Sequence, residues 1–241
     1  MGTALRPRYT VREYTELEAA SIRVKHEYVS GEIYAMAGGS TEHTALTNVL
    51  AMLIGGHLRG QPCRTYSSDL QITIEAADVY TYADLTVLCD LVERAASAPG
   101  HVINPLIVVE VLSPSTERYD REQKRLHYQQ LASLQEYVLV AQDRKFVEVW
   151  RKAGDTWQDE SFEAESHARL TSIDDERSVD EVSAEAGFDR WGCFRGKPPG
   201  GHSTSVVLQL SPHCGTEVVS TMVGLSMICQ GAKRATKRWG P

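Results

Sequence analysis

The period of the apolar positions changes several times along this chain, and each change marks an element. Residues 106–112 are apolar at every position but one, which reads as a strand buried on both faces. Residues 84–89, 70–74 and 63–66 are shorter β-branched or aliphatic runs that predict three further strands, with an acidic turn near Asp78 joining two of them. Leu46, Val49, Leu50, Leu53, Ile54 and either His57 or Leu58 recur at spacings of three and four, the mark of an amphipathic helix. Gly38 and Gly39 break the chain before it, Ser40 supplies a natural N-cap, and Gly60 with Pro62 ends it. Residues 28–36 predict a hairpin about Ser30-Gly31. Beyond residue 112 the pattern predicts a helix over 119–131, a hairpin from 136–141 and 146–151, a strand over 157–162 and a short closing helix at 179–186. That order predicts an α/β chain of the α+β kind, a central mixed sheet flanked by helices.

Two acids interrupt this apolar pattern. Glu110 stands inside the most buried strand, and Asp84 opens the strand at 84–89. A carboxylate in such a place costs several kcal/mol unless it is paired or binds a cation. Taken singly, the simpler reading is that Asp84 caps a turn and Glu110 pairs with Lys124 or Arg125. Taken together, two acids on neighbouring buried strands with a lysine soon after are the parts of a divalent-metal phosphodiester cleavage site. Glu42 lies four residues before Leu46 and continues the apolar stripe of the first long helix, so it is a third candidate ligand. An acid in that first turn also complements the helix dipole without any metal. His43 borders the same face and could contact phosphate, or simply pack.

Composition narrows the picture. The 241 residues carry no apolar run near the ~18–20 residues of a membrane span. The N-terminus lacks the apolar core of a secretory signal. Five cysteines without a CxxC pair argue against both a disulfide framework and a zinc ribbon, and point to a reducing cytoplasm. Charge is divided unevenly. Residues 1–189 hold 18 Lys and Arg against 31 Asp and Glu, whereas residues 190–241 hold 7 against one. An acidic main domain is a poor non-specific ligand for nucleic acid, unless a local groove or a metal supplies the attraction. Residues 189–241 are basic and linker-like around Pro198-Pro199-Gly200-Gly201, with too little apolar content for a core of their own. Cys193, His202, His213 and Cys214 within them match no common zinc spacing. The expected division is a lead-in at 1–27, a domain at 28–188 and this tail.

Several motifs, in one order, carry a resemblance. They are the segment from Gly31 to Gly38, Glu42-His43, Ser68-Asp69-Leu70, Tyr80 to Asp84, Pro105 to Thr116, Tyr119-Asp120-Arg121 with Lys124 and Tyr128, and Glu136 to Val140 with Gln142-Asp143. From about residue 28 to 150 the chain resembles the Uma2 family, regarded as a branch of the PD-(D/E)XK restriction-endonuclease-like superfamily. The resemblance implies a restriction-endonuclease-like core, Mg²⁺ as cofactor with Mn²⁺ as a substitute, and nucleic acid, DNA in the first instance, as partner. It implies Asp84 as the metal-binding Asp and Glu110 as the acid of the (D/E)XK element. Ala83 replaces the family's usual proline, which alters backbone stiffness rather than chemistry. At Leu112 the chain departs from the parent motif, whose lysine lies two residues after the acid on the same strand face. The resemblance implies that the lysine has moved to the next helix, where Lys124 is the candidate. Asp69 and Tyr128 match further family positions, Asp69 as a supporting acid or turn residue and Tyr128 as a neighbour that fixes Lys124.

Two functions of different class remain open at this point. One is a Mg²⁺-dependent endonuclease. The other is a binding or regulatory module that keeps the fold without hydrolysis, favoured by Leu112 and the acidic balance. Many related nucleases act as homodimers, and nothing in the sequence identifies a self-complementary face.

Overall fold

The structure is a computed structural model, and it describes residues 8–36 and 38–187. The tail, with its cysteines and histidines, lies outside the described residues. Twelve strands and five α-helical stretches follow one another among the described residues as α1 (Val11–Ala20), β1 (His26–Val29), β2 (Glu32–Ala35), α2 (Thr41–His57), β3 (Cys63–Ser67), β4 (Gln71–Ile74), β5 (Val79–Tyr82), β6 (Leu85–Cys89), β7 (Ile107–Leu112), α3 (Glu117–Tyr119), α4 (Arg125–Tyr128), β8 (Glu136–Ala141), β9 (Phe146–Ala153), β10 (Thr156–Glu163), β11 (His167–Leu170), β12 (Asp175–Ser178) and α5 (Val179–Glu185). A π-helical turn, Asp120–Lys124, joins α3 to α4.

Six strands form the central sheet in the order β10-β9-β8-β7-β6-β3. It is mixed, because β7 and β8 run parallel while the other neighbours are antiparallel. A second, antiparallel sheet has the order β2-β1-β5-β4. Strand β7 is buried at all six positions. Its alternation sends Val109 and Val111 into one core with Leu46, Leu50 and Ile54 of α2, and Val108 and Leu112 into another with Tyr128, Leu139 and Tyr137. Glu110, two residues from each, therefore shares the face of Val108 and Leu112. This is the predicted architecture, a mixed sheet flanked by helices.

The local signals behave as their chemistry requires. Ser30 and Gly31 both adopt positive φ (48° and 92°), the backbone of a two-residue hairpin turn. Ser40 accepts from the backbone N–H of His43 at 3.1 Å and so starts α2.

Three elements escaped the pattern. α1 buries only Tyr14 and has no apolar stripe, although Thr10 and Glu13 make a capping box that signals its start. β5 falls where only a turn near Asp78 was expected, and its Thr81 and tyrosines break the aliphatic pattern. The β11–β12 hairpin is polar. It is anchored through Glu136, a buried carboxylate that accepts from the backbone N–H groups of Thr171 and Ser172 at 2.9 and 3.1 Å.

The cysteine expectation is corrected. Cys63 and Cys89 form a disulfide. They lie 26 residues apart in sequence, and only the antiparallel pairing of β3 with β6 sets them opposite each other.

Candidate active site

Three pieces of chain converge on the C-terminal half of β7. β6 begins one residue after Asp84, whose Oδ2 accepts the backbone N–H of Val111 at 2.7 Å. The first turn of α2 brings His43 Nε2 to 3.1 Å from that same oxygen. A glycine is needed beside it, since a Cβ on Gly39 would stand 2.9 Å from the His43 ring nitrogen Nδ1. The hydrogen bond to Asp84 raises the pKa of His43, partly opposed by burial.

The third piece is the helical segment after β7. Lys124 Nζ lies 2.9 Å from Glu110 Oε1, 3.3 Å from Glu27 Oε1 and 4.0 Å from Asp120 Oδ1. The contact to Glu110 is the shortest of the three ion pairs. All four side chains are buried. Burial works against the Lys124 ammonium, but Glu110 and Glu27, with Tyr128 and Asp120, hold its pKa well above the ordinary lysine value. The Glu110 carboxyl is pushed well up by burial; Lys124 opposes that rise, and Asp84 and Asp120 add to it. Asp120 is raised by burial as well.

The helical segment is clamped to the sheet along its length. Arg121 pairs with Glu148 of β9, the Arg125 guanidinium lies 3.9 Å over the Trp150 ring, and the Tyr137 hydroxyl donates to the backbone oxygen of Asp120 at 2.9 Å. Tyr128 packs on Tyr137 with ring centroids 5.5 Å apart, fully buried beneath Lys124. The π-helical turn inserts one extra residue relative to an α-helix, a feature often found at functional sites.

Among the residues singled out from sequence, Asp84, Glu110, Lys124 and His43 come together, with Tyr128 beneath. Glu42 does not join them. Its carboxylate accepts from Thr41 Oγ1 at 3.1 Å, and its own backbone N–H is the main cause of its lowered pKa, so it serves the helix N-terminus. Asp69 is also apart, on the surface, 2.5 Å from Lys25 Nζ. Glu27 and Asp120 join the cluster without having been singled out as site residues. Period-two alternation sends Tyr28 and Glu27 of β1 to opposite faces, so an inward Tyr28 gave no sign that Glu27 is buried as well.

The donor set suits a hard divalent cation. Every anionic group is a carboxylate, the ligand type Mg²⁺ and Mn²⁺ favour. Four carboxyl groups, those of Asp84, Glu110, Glu27 and Asp120, stand near the basic groups of Lys124 and His43, and burial shifts two of them, Glu110 and Asp120, toward the neutral form, a shift that a bound cation would reverse. Among the described residues no three His, Cys, Asp or Glu are grouped to hold a metal by themselves. Mg²⁺ commonly takes only one or two carboxylates and completes its shell with water and substrate, so Asp84 and Glu110 fit that pattern.

The family model described as "Uma2: Putative restriction endonuclease" matches residues 11–180. An uncharacterized protein of Synechocystis sp., slr1290, is 37% identical over 177 residues, 73% of this chain and 92% of that one. A second uncharacterized Synechocystis protein, sll1609, is 32% identical over 146 residues, 61% of this chain and 82% of that one. A crystal structure described as a putative nuclease belonging to DUF820, from Anabaena variabilis, superposes with a TM-score of 0.61 at 20% identity, covering 73% of this chain and 98% of that one, and so shares the fold. With a family model spanning most of its length and relatives matched over most of theirs, this chain belongs to the Uma2 family.

Proposed function

We propose that the chain is a divalent-metal-dependent endonuclease that hydrolyses phosphodiester bonds in DNA, with Mg²⁺ as its ion and Mn²⁺ able to replace it. The observation that carries this reading is the approach of Lys124 Nζ to 2.9 Å from Glu110 Oε1. It supplies from the following helix the ammonium that Leu112 cannot supply from the strand. Asp84 and Glu110 would hold the ion. When bound, the ion would lower the pKa of a coordinated water and offset charge on the phosphate. The chain's own groups do the rest. His43 Nε2 and the Val111 N–H both engage Asp84 Oδ2, which orients that carboxylate and leaves Oδ1 for a cation. The Lys124 ammonium keeps a fixed positive charge beside the phosphate position and can donate to the attacking water. Closely packed apolar residues of β7 and Tyr128 exclude bulk water from behind the site and strengthen each charge interaction there.

The second reading, a binding or regulatory module that keeps the fold without hydrolysis, draws on Leu112 in place of the strand lysine and on the acidic balance of residues 1–189. One experiment separates the two. Calorimetric titration of Mg²⁺ and Mn²⁺ into the wild type and Asp84→Asn is paired with a plasmid-nicking assay on the same samples. The nuclease reading expects metal-dependent nicking that falls roughly 10²-fold or more in the variant. Metal binding without nicking would favour the binding module, and no metal binding would mean that the acids serve the fold.

A further inference from the structure

Glu27 is a buried acid between His26 and Tyr28 of β1, and its partners lie outside its own hairpin, since His26 pairs with Glu18 instead. Its carboxylate has two partners. Thr81 Oγ1 of the adjacent β5 donates to Oε1, and the Lys124 ammonium lies 3.3 Å from the same oxygen. Lys124 Nζ thus bridges carboxylates of two different sheets, Glu110 of the six-stranded sheet and Glu27 of the four-stranded one. Glu110 is the nearer at 2.9 Å.

A divalent cation and an ammonium cannot both sit closest to Glu110 without strong mutual repulsion in a water-poor pocket. The ammonium must give way or the ion binds weakly. Asp120, at 4.0 Å, rides on the same helical turn as the lysine and offers no separate place to go. Glu27 does, because the pairing of β1 with β5 and the Thr81 hydroxyl hold it independently of that turn.

Building on the metal-dependent reading above, we propose that Glu27 is a positioning residue: it is the alternative seat that takes the Lys124 ammonium when a divalent ion occupies Glu110. The lysine then remains at the site as a fixed charge and ceases to compete for the metal ligand.

The test is a double-mutant cycle on Mn²⁺ affinity, read by calorimetry on the full chain, with circular dichroism to verify folding. The variants are Glu27→Gln, Lys124→Met and the pair. Glu27→Gln traps the ammonium on Glu110, so Mn²⁺ affinity falls about tenfold. Lys124→Met removes the competitor and tightens binding. In the double variant the Glu27→Gln penalty largely disappears, which a merely structural role for Glu27 would not produce. An equal or greater penalty in the Lys124→Met background overturns the proposal, because Glu27 would then act on the ion directly or through the fold. Should Lys124→Met not fold, a crystal structure of the wild type with Mn²⁺ decides. An ammonium moved onto Glu27 supports the proposal, and one still closest to Glu110 overturns it. If the wild type binds no Mn²⁺, this proposal and the metal-dependent reading fall together, whereas binding without coupling removes this proposal alone.

Discussion

A buried ammonium persists only where carboxylates replace its water, and Lys124 has three around it. Asp84 and Glu110 were legible in the sequence because each interrupts an apolar pattern, whereas Lys124 was singled out through the family resemblance, which implies a lysine on the next helix in place of Leu112. Glu27 was not, since nothing in a short hairpin states which face meets a lysine far along the chain. A different buried group, a histidine, makes a separate prediction. His101 lies against the Tyr14 and Tyr80 rings with Nδ1 unpartnered, and burial lowers its pKa from 6.5 to about 4, with Glu18 a small opposing influence. The unfolded chain therefore takes up this proton before the folded one. Its contribution to stability is full above pH ~6.5 and is lost as the pH falls toward about 4, a total of about 3 kcal/mol. His101→Phe should flatten that part of the stability–pH curve in urea titrations between pH 7 and 4. An unchanged slope would mean that other groups set the acid limit.

At the scale of elements, the helical segment after β7 is the part that decides whether the site is complete. Sequence periodicity predicted its place, but as a plain α-helix, because apolar spacing does not distinguish an α-turn from one widened by a residue. The π-helical turn Asp120–Lys124 sets the rotation at which Lys124 enters the site while Tyr128 still reaches the core. Deleting the exposed Gln123 would remove the widened turn and change the angle at which Lys124 leaves it, while the flanking helical turns keep their phase. The expected result is a folded protein, with retained near-ultraviolet circular dichroism, that has lost metal-dependent nicking. Retained nicking would show that the π-turn is incidental. The same limit applies to α1, β5 and the β11–β12 hairpin. Their polar or aromatic residues are buried by partners distant in sequence, so local periodicity carries little of their signal.

For the molecule as a whole, charge is the dominant constraint. Residues 1–189 carry an excess of 13 negative charges, which repels phosphate unless a cation intervenes. Affinity for a nuclease-resistant phosphorothioate duplex, measured by fluorescence anisotropy, should therefore rise with Mg²⁺ and collapse in EDTA. Affinity indifferent to EDTA but steeply reduced by NaCl would assign the contact to the basic residues after 189 instead. No helix among the described residues is long and apolar enough to cross a membrane.

What the sequence determined by itself is whatever depends on neighbours along the chain. The buried strand Ile107–Leu112, the helix Thr41–His57 with its Ser40 cap, the Ser30-Gly31 turn and the mixed architecture all follow from local periodicity and turn chemistry. Tertiary structure alone decided which charges meet. It joined Glu27 to Lys124 across two sheets, left Asp69 on the surface with Lys25, and set Cys63 opposite Cys89. The reason is physical: apolar burial is non-directional and is written in local pattern, whereas an ion pair depends on distances of a few ångströms that only the packed sheets and the π-helical turn establish.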